Sequence, residues 1–144
     1  MSRLRIPAPL LTQIQSHAEA AYPEEGAGFL LGTQEVEKVV RHLLPLPNSR
    51  SEPSRRTRYL IGPREYLRAE SIADGMGLSI LGVFHSHPDH PDQPSEFDRE
   101  WAQPLFSYVI TSVQAGRAVR SSSWLLAEDR AFFLEEPIST EEGA

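Results

Sequence analysis

Two stretches of the chain place apolar residues three or four positions apart, which is the spacing of an amphipathic helix. The first covers residues 7–21, and Pro7 suits a first helical position because its missing N–H group costs nothing there. The second covers residues 63–76 and is followed closely by Gly77. The pattern therefore predicts two helices, the second of them ended by glycine.

Shorter apolar runs, many of them bounded by glycine or proline, predict the strands. They lie at Leu4–Ile6, at Phe29–Leu31, within Glu35–Leu46, at 58–61, at Leu78–His85, at Tyr108–Ile110, at Arg117–Leu126 and at Ala131–Leu134. The run Leu78–His85 is nearly all apolar, as expected of a central strand that is covered on both faces. The length of 144 residues and the lack of an internal repeat predict one domain over residues 1–138, followed by a frayed acidic tail over residues 139–144.

The composition of the chain excludes some classes of function and disfavours others. A formal net charge of −6 disfavours a protein that binds nucleic-acid backbones. The absence of cysteine excludes a disulfide scaffold, a cysteine nucleophile and a thiolate zinc finger. Neither a signal peptide nor a membrane span is predicted, so a cytoplasmic location is expected. The arginine-rich stretch 48–58 is either a mobile solvated loop or a contact for an acidic partner.

The candidate chemistry follows the strand Leu78–His85. Strand side chains alternate between faces, so His85 and His87 lie on one face and can converge on one ion. Residues 88–94 contain three prolines and lead to Ser95, a predicted helix N-cap, and Asp98 lies in the first turn of that helix. Two imidazoles and one carboxylate suit a catalytic zinc site, in which water takes the fourth position.

Other polar residues of this region have two interpretations. Asp89, His90 and Asp92 lack the strand alternation and are interpreted as rim or turn residues, with His90 near the substrate. Ser95 is either a plain helix cap or a donor to a developing oxyanion, and one rotamer cannot fully serve both roles.

A water activated by zinc also needs a base, and no His-Glu-x-x-His motif supplies one. Glu25 precedes the buried strand Phe29–Leu31, which could pair beside the strand that carries His85. Glu25 is therefore the candidate base. The simpler interpretation is that Glu24 and Glu25 form a solvated turn.

Two segments of the chain resemble the motif of the JAMM (MPN+) metalloproteases, the zinc isopeptidases that act on ubiquitin and ubiquitin-like proteins. The first is Glu25-Gly26-Ala27-Gly28-Phe29-Leu30-Leu31-Gly32, which matches Glu-x-x-Gly-x-x-x-Gly. The second is His85-Ser86-His87, seven residues, and then Ser95-Glu96-Phe97-Asp98. The spacing of the first motif selects Glu25 over Glu24. The resemblance covers about residues 4–138 and is greatest to the compact prokaryotic branch.

This resemblance implies an α/β fold of the JAB1/MPN type, an α-β-α sandwich whose mixed, curved sheet is similar to that of cytidine deaminases. It implies one Zn²⁺ per chain, bound by His85, His87 and Asp98, with Glu25 as catalytic acid and base and Ser95 supporting the tetrahedral intermediate. The implied reaction is hydrolysis of the amide bond after the C-terminal glycine of a ubiquitin-like protein of the ThiS or MoaD type, which ends in Gly-Gly.

Alternatives to this activity stay open at the level of sequence. The enzyme could release cysteine from a carrier during cysteine biosynthesis, or the chain could be a non-catalytic MPN scaffold. A relative associated with DNA repair or phage tails is a third class, disfavoured by the acidity of the chain. A deaminase is disfavoured because its His-x-Glu and Pro-Cys-x-x-Cys ligands are absent.

Overall fold

The computed structural model describes residues 3–46 and 61–140, which form eleven helices and strands. In chain order they are β1 (Leu4–Arg5), α1 (Ala8–Ala21), β2 (Ala27–Gln34), β3 (Lys38–Pro45), α2 (Pro63–Gly75), β4 (Ser79–Pro88), α3 (Glu96–Trp101), β5 (Ser107–Gln114), β6 (Arg117–Leu126), β7 (Phe133–Glu136) and β8 (Ile138–Ser139). None of the described helices has the length and apolar character that crossing a bilayer requires.

The strands form one mixed sheet in the order β7-β6-β5-β4-β2-β3-β1-β8. Strand β4 lies in its middle, antiparallel to β2 and parallel to β5. The parallel neighbour requires a crossover, which α3 provides between β4 and β5. Register shifts in the β2–β3, β2–β4 and β5–β6 ladders mark bulges, which bend and twist the strands. The result is the mixed, curved sheet that the resemblance implied.

Helices cover both faces of this sheet because the strand residues alternate between two apolar clusters. Phe29 and Val83 pack with Ala69 and Ala73 of α2 on one face. Leu30, Phe84 and Val109 pack with Ile14 of α1 on the other face. This arrangement confirms the α-β-α sandwich and places α2 on the face to which Val83, and therefore His85 and His87, point.

Glycine allows β4 and β5 to approach each other closely. A Cβ atom on Gly82 would lie 1.8 Å from the carbonyl oxygen of Ser107, which is a backbone atom that cannot move aside. Gly82 and Ser107 are register partners at the beginning of the β4–β5 ladder. The missing side chain thus sets the spacing of the two strands that lead to the histidines.

The predicted helices and strands agree with the described structure within a few residues at their ends. The stretch 48–58 and most of the strand predicted at 58–61 lie outside the described residues. The tail was predicted to begin at residue 139, but Ser139 pairs with Arg5 in the β1–β8 ladder. Residues 141–144 of the predicted tail also lie outside the described part of the chain.

Candidate metal centre and active site

The C-terminal end of β4 brings the two histidines to one place. His85 and His87 point to the same face, and their ring centroids are 5.0 Å apart. Both side chains are buried, His85 almost completely. The alternation predicted from the sequence therefore positions both imidazoles as expected.

Asp98 reaches the same place from the first turn of α3. One of its carboxylate oxygens, Oδ2, is 3.3 Å from His87 Nε2, and the other, Oδ1, is 3.7 Å from His85 Nε2. Among the described residues, these three side chains each offer a ligand atom, and the atoms lie within 4.8 Å of one another. The structure therefore brings together the three residues that the spacing selected.

The N-terminus of α3 holds this carboxylate through a capping box. Ser95 Oγ accepts a hydrogen bond from the Asp98 backbone N–H at 3.1 Å, and the Ser95 N–H donates to Asp98 Oδ2 at 2.8 Å. In the cap Ser95 acts as an acceptor, so this bond does not use its own hydroxyl hydrogen. The structure thus shows the cap, and the role of Ser95 as a donor to a developing oxyanion stays a prediction.

Glu25 lies on the other side of His85. Its side chain is 6% exposed, and its carboxylate oxygen Oε1 is 3.7 Å from His85 Nδ1. Strands β2 and β4 pair as expected, with Ala27 opposite His85. The interpretation of Glu25 as part of a solvated turn is therefore wrong, whereas Glu24 is partly exposed.

Ser86 fixes the backbone beside Glu25, a contact that the sequence alone did not predict. Its side chain points away from the histidines, and its Oγ accepts a hydrogen bond from the Gly26 N–H at 2.8 Å. The Ser86 N–H donates to the Gly26 carbonyl at 3.0 Å. A Cβ atom on Gly26 would meet His17 and Ala21 of α1 at 3.0 Å, so this position leaves little room for a side chain.

His87 is oriented by its other ring nitrogen. Nδ1 lies 2.8 Å from the carbonyl oxygen of Pro91, and a carbonyl can only accept, so Nδ1 carries a hydrogen. In the neutral ring Nε2 then carries the lone pair, which faces the Asp98 carboxylate. Two acceptors this close require a proton or a cation between them, as a metal site provides.

The pKa shifts of His87 and Asp98 agree with a proton or a cation between these two side chains. Burial lowers the pKa of His87, but its hydrogen bond with Asp98 and the Asp98 charge outweigh burial and raise that pKa overall. Burial raises the pKa of Asp98, but the histidines and the Ser95 N–H hold that pKa well below its ordinary value. The pocket thus favours positive charge next to Asp98, and its two nitrogens and one oxygen fit a catalytic zinc site.

Two other polar residues of the loop, Asp89 and Asp92, have structural partners. Asp89 accepts hydrogen bonds from the Tyr22 hydroxyl at 2.6 Å and from the Ala115 N–H at 2.9 Å. Asp92 pairs with Arg120 at 3.1 Å. These contacts agree with the interpretation of both aspartates as turn or rim residues.

The comparisons with known proteins agree with this geometry. The family model described as prokaryotic homologs of the JAB domain matches residues 7–126. A "Probable TtuB-protein conjugate cleaving protease" of Thermus thermophilus is 38% identical over 115 residues, which are 80% of this chain and 74% of that protein. A "Desampylase" of Haloferax volcanii is 33% identical over 77% of this chain and 81% of its own length. A "CysO-cysteine peptidase" of Mycobacterium tuberculosis is 26% identical over 96% of this chain and 92% of its own length.

Solved structures show the same fold. A protein from Desulfitobacterium hafniense superposes with a TM-score of 0.82 at 31% identity, covering 97% of this chain and 94% of its own. A JAB1/MPN domain protein from Archaeoglobus fulgidus superposes with a TM-score of 0.62 at 19% identity, covering 96% of this chain and all of its own, and at this identity it shows the fold alone. The family model covers most of the chain, the fold is that of the JAB1/MPN proteins, and His85, His87 and Asp98 form a cluster that could hold a metal ion. The chain therefore belongs to the prokaryotic homologues of the JAB domain.

Proposed function

We propose that this chain is a zinc-dependent metallopeptidase that hydrolyses the amide bond after the C-terminal glycine of a ubiquitin-like protein. The observation that carries the proposal is the buried cluster of His85, His87 and Asp98 with the Glu25 carboxylate 3.7 Å from His85. Two imidazoles, a metal-binding carboxylate and a separate buried carboxylate together suit hydrolysis by an activated water.

His85, His87 and Asp98 would hold the ion. Nε2 of each histidine faces Asp98, and the capping box at Ser95 keeps the carboxylate turned toward both rings. When bound, zinc polarises a carbonyl group and lowers the pKa of a water to about 7.

Glu25 is the proposed general base and acid. Its carboxylate takes a proton from the attacking water and later gives that proton to the leaving amine. The Ser86–Gly26 hydrogen bonds hold the backbone next to it.

Ser95 is the proposed donor to the oxygen on which negative charge develops. Its oxygen is already held by the Asp98 N–H, so the position of the hydroxyl group is defined before the substrate binds. Such preorganised donors contribute about 10²–10³-fold to kcat in other hydrolases.

The names of the relatives support a ubiquitin-like substrate. The Thermus relative is named for cleaving TtuB–protein conjugates, and the Mycobacterium relative is named as a CysO-cysteine peptidase. The greater identity to the Thermus protein favours a protein conjugate as substrate. Release of cysteine from a carrier is the second candidate, favoured by the relative that matches 96% of this chain.

Binding of the Gly-Gly tail by addition to an exposed strand edge stays a prediction. In the described sheet the outer strands are β7 and β8, and β7 is three positions from β4. The cytoplasmic location and the single domain also stay predictions.

The test is a cleavage assay with the zinc-loaded protein and ubiquitin-like carriers of its host. Each carrier is extended after its terminal glycine by cysteine, by a peptide or by an isopeptide-linked lysine, and the released fragment is identified by mass. The matched control is Asp98→Asn, which can still accept the Ser95 hydrogen bond but lacks the ligand charge.

We expect cleavage after the terminal glycine by the wild type and at least a hundredfold slower cleavage by the control. A wild-type protein that holds one zinc per chain and cleaves none of the carriers would contradict the peptidase and favour the scaffold. Removal of cysteine alone would select the second candidate.

A further inference from the structure

Three consecutive backbone carbonyls follow His87 in the loop between β4 and α3. The middle one, of Pro91, accepts the hydrogen bond from His87 Nδ1 at 2.8 Å. The carbonyls on either side, of His90 and Asp92, are both bound by side chains of the sheet. The contact that orients His87 therefore lies between two anchored peptide groups.

The anchors come from β5 and β6. Ser112 Oγ donates to the His90 carbonyl at 2.5 Å. Ser122 Oγ and Trp124 Nε1 donate to the Asp92 carbonyl at 2.8 Å and 3.0 Å. The two serine side chains are nearly inaccessible to solvent, with 3% and 4% exposure, so water does not readily replace these bonds.

The register of the sheet places all three anchors on the face of the histidines. Ser112 is the strand partner of His87 in the parallel β4–β5 ladder. Ser122 is paired with Ile110, the partner of His85, and Trp124 follows two residues later on the same face. The sheet that carries His87 thus also fixes the loop that orients its ring.

We propose that Ser112, Ser122 and Trp124 are positioning residues for His87. By holding the two flanking carbonyls, they keep the Pro91 carbonyl against Nδ1, so the hydrogen stays on Nδ1 and the lone pair of Nε2 stays directed at the ion. This proposal rests on the metal site proposed above. Pro91 has no N–H group, so its peptide group contributes only this carbonyl to the loop.

Outer partners of metal-bound histidines fix the tautomer and the ring orientation, and their loss costs about 10–100-fold in metal affinity. Here the direct partner is a backbone carbonyl that no substitution removes. The three side chains are therefore the part of this arrangement that mutation can test.

The test compares Trp124→Phe and Ser122→Ala with Ser121→Ala. The first two changes each remove one donor to the Asp92 carbonyl. Ser121 is the matched control, because it is the neighbouring serine, points to the other face of β6 and hydrogen-bonds Thr111 Oγ1 at 2.7 Å. All three variants lose a side-chain hydrogen bond of β6, but only two of them lose an anchor of the loop.

Two measurements are made on each protein. Zinc affinity is obtained by competition with a chromophoric chelator, and the tautomer of His87 in the metal-free protein is read from ¹⁵N NMR of the imidazole at alkaline pH. We expect zinc binding to weaken about tenfold in Ser122→Ala and Trp124→Phe, within the range for outer partners, and the share of the Nδ1–H tautomer to fall. Ser121→Ala should keep both properties within twofold of the wild type.

Wild-type zinc affinity and tautomer in both anchor variants would overturn the proposal. So would an equal loss in Ser121→Ala, because the effect would then follow from general weakening of β6. If Ser122→Ala does not fold, Ser112→Ala takes its place and is expected to give the same loss. Neither readout requires cleavage, so a protein with this behaviour but without peptidase activity would refute the proposed function and leave the positioning intact.

Discussion

Ser86→Ala separates the support of Glu25 from the metal site itself. The substitution removes the hydroxyl oxygen that accepts the Gly26 N–H at 2.8 Å, and Ser86 is 1% exposed, so water cannot easily replace it. The amide concerned is the peptide bond that follows Glu25. The change therefore leaves His85, His87 and Asp98 in place and frees the backbone of the proposed base.

The expected loss of stability follows from leaving the buried Gly26 N–H without its acceptor. A buried N–H group without a partner costs about 1–3 kcal/mol of folding stability. For a domain near this size each kcal/mol lowers Tm by about 2–4 °C, so we expect a loss of roughly 2–12 °C. A displacement of Glu25 approaching 1 Å would also lower kcat by up to about 10²-fold.

Two variants make the assay specific. Ser86→Thr keeps the hydroxyl and should restore most of the stability and kcat. Ser107→Ala removes another buried serine, one that accepts a hydrogen bond from Lys38 Nζ at 2.9 Å, and should lower stability without lowering kcat. Urea unfolding, zinc content and steady-state kinetics are measured on all four proteins.

Unfolding of Ser86→Ala at the wild-type urea concentration, with unchanged kcat, would show that Ser86 does not support Glu25. It would also fail if Ser107→Ala lost as much kcat for the same loss of stability, since loss of stability alone would then explain the effect.

Three further outcomes are expected. Gly82→Ala should destabilise the protein by about 1–3 kcal/mol or more in urea unfolding, because the new Cβ meets the Ser107 carbonyl. Gly75→Ala is the control and should not destabilise it, because no described heavy atom lies within 4 Å of its Cβ. Equal stabilities of the two variants would be evidence against the tight β4–β5 contact. Free zinc at 100 times its dissociation constant should raise Tm by roughly 5–11 °C over the chelator-treated protein, because binding at that level adds about 2.7 kcal/mol to the free energy of unfolding. An unchanged Tm would argue against a zinc site in the folded state. The pKa of His87 is raised in the metal-free protein, so its pairing with Asp98 contributes fully below about pH 6.5 and is lost as pH rises through the raised pKa. Urea unfolding should therefore show stability that falls as the pH rises above about 6.5, and the same slope in His87→Gln would contradict this assignment.

The metal cluster could be predicted from the sequence because its geometry is local. Alternation along β4 puts His85 and His87 on one face, and the helix cap at Ser95 puts Asp98 within reach. Only the short, proline-rich loop separates the two elements. The position of Glu25 could not be predicted from local geometry, because it depends on the pairing of β2 with β4. That pairing brings Glu25 next to His85, which lies 60 positions further along the chain, and the family motif supplied this information.

The supporting contacts could not be predicted in the same way. The partners of the His90 and Asp92 carbonyls lie 22 to 32 residues further along the chain and depend on the register of β5 and β6. Serine in a strand is compatible with many environments, so Ser112 and Ser122 carried no signal of their own.

Glu25→Gln in the zinc-loaded protein separates the proposed general base from the metal ligands. Glutamine has nearly the same shape but cannot accept the proton of the attacking water, and the three proposed metal ligands are untouched. With one zinc per chain in both proteins, the account predicts that the variant cleaves the extended ubiquitin-like carrier about 10²–10⁴ times more slowly than the wild type. Cleavage at the wild-type rate, with zinc content matched, would contradict the account.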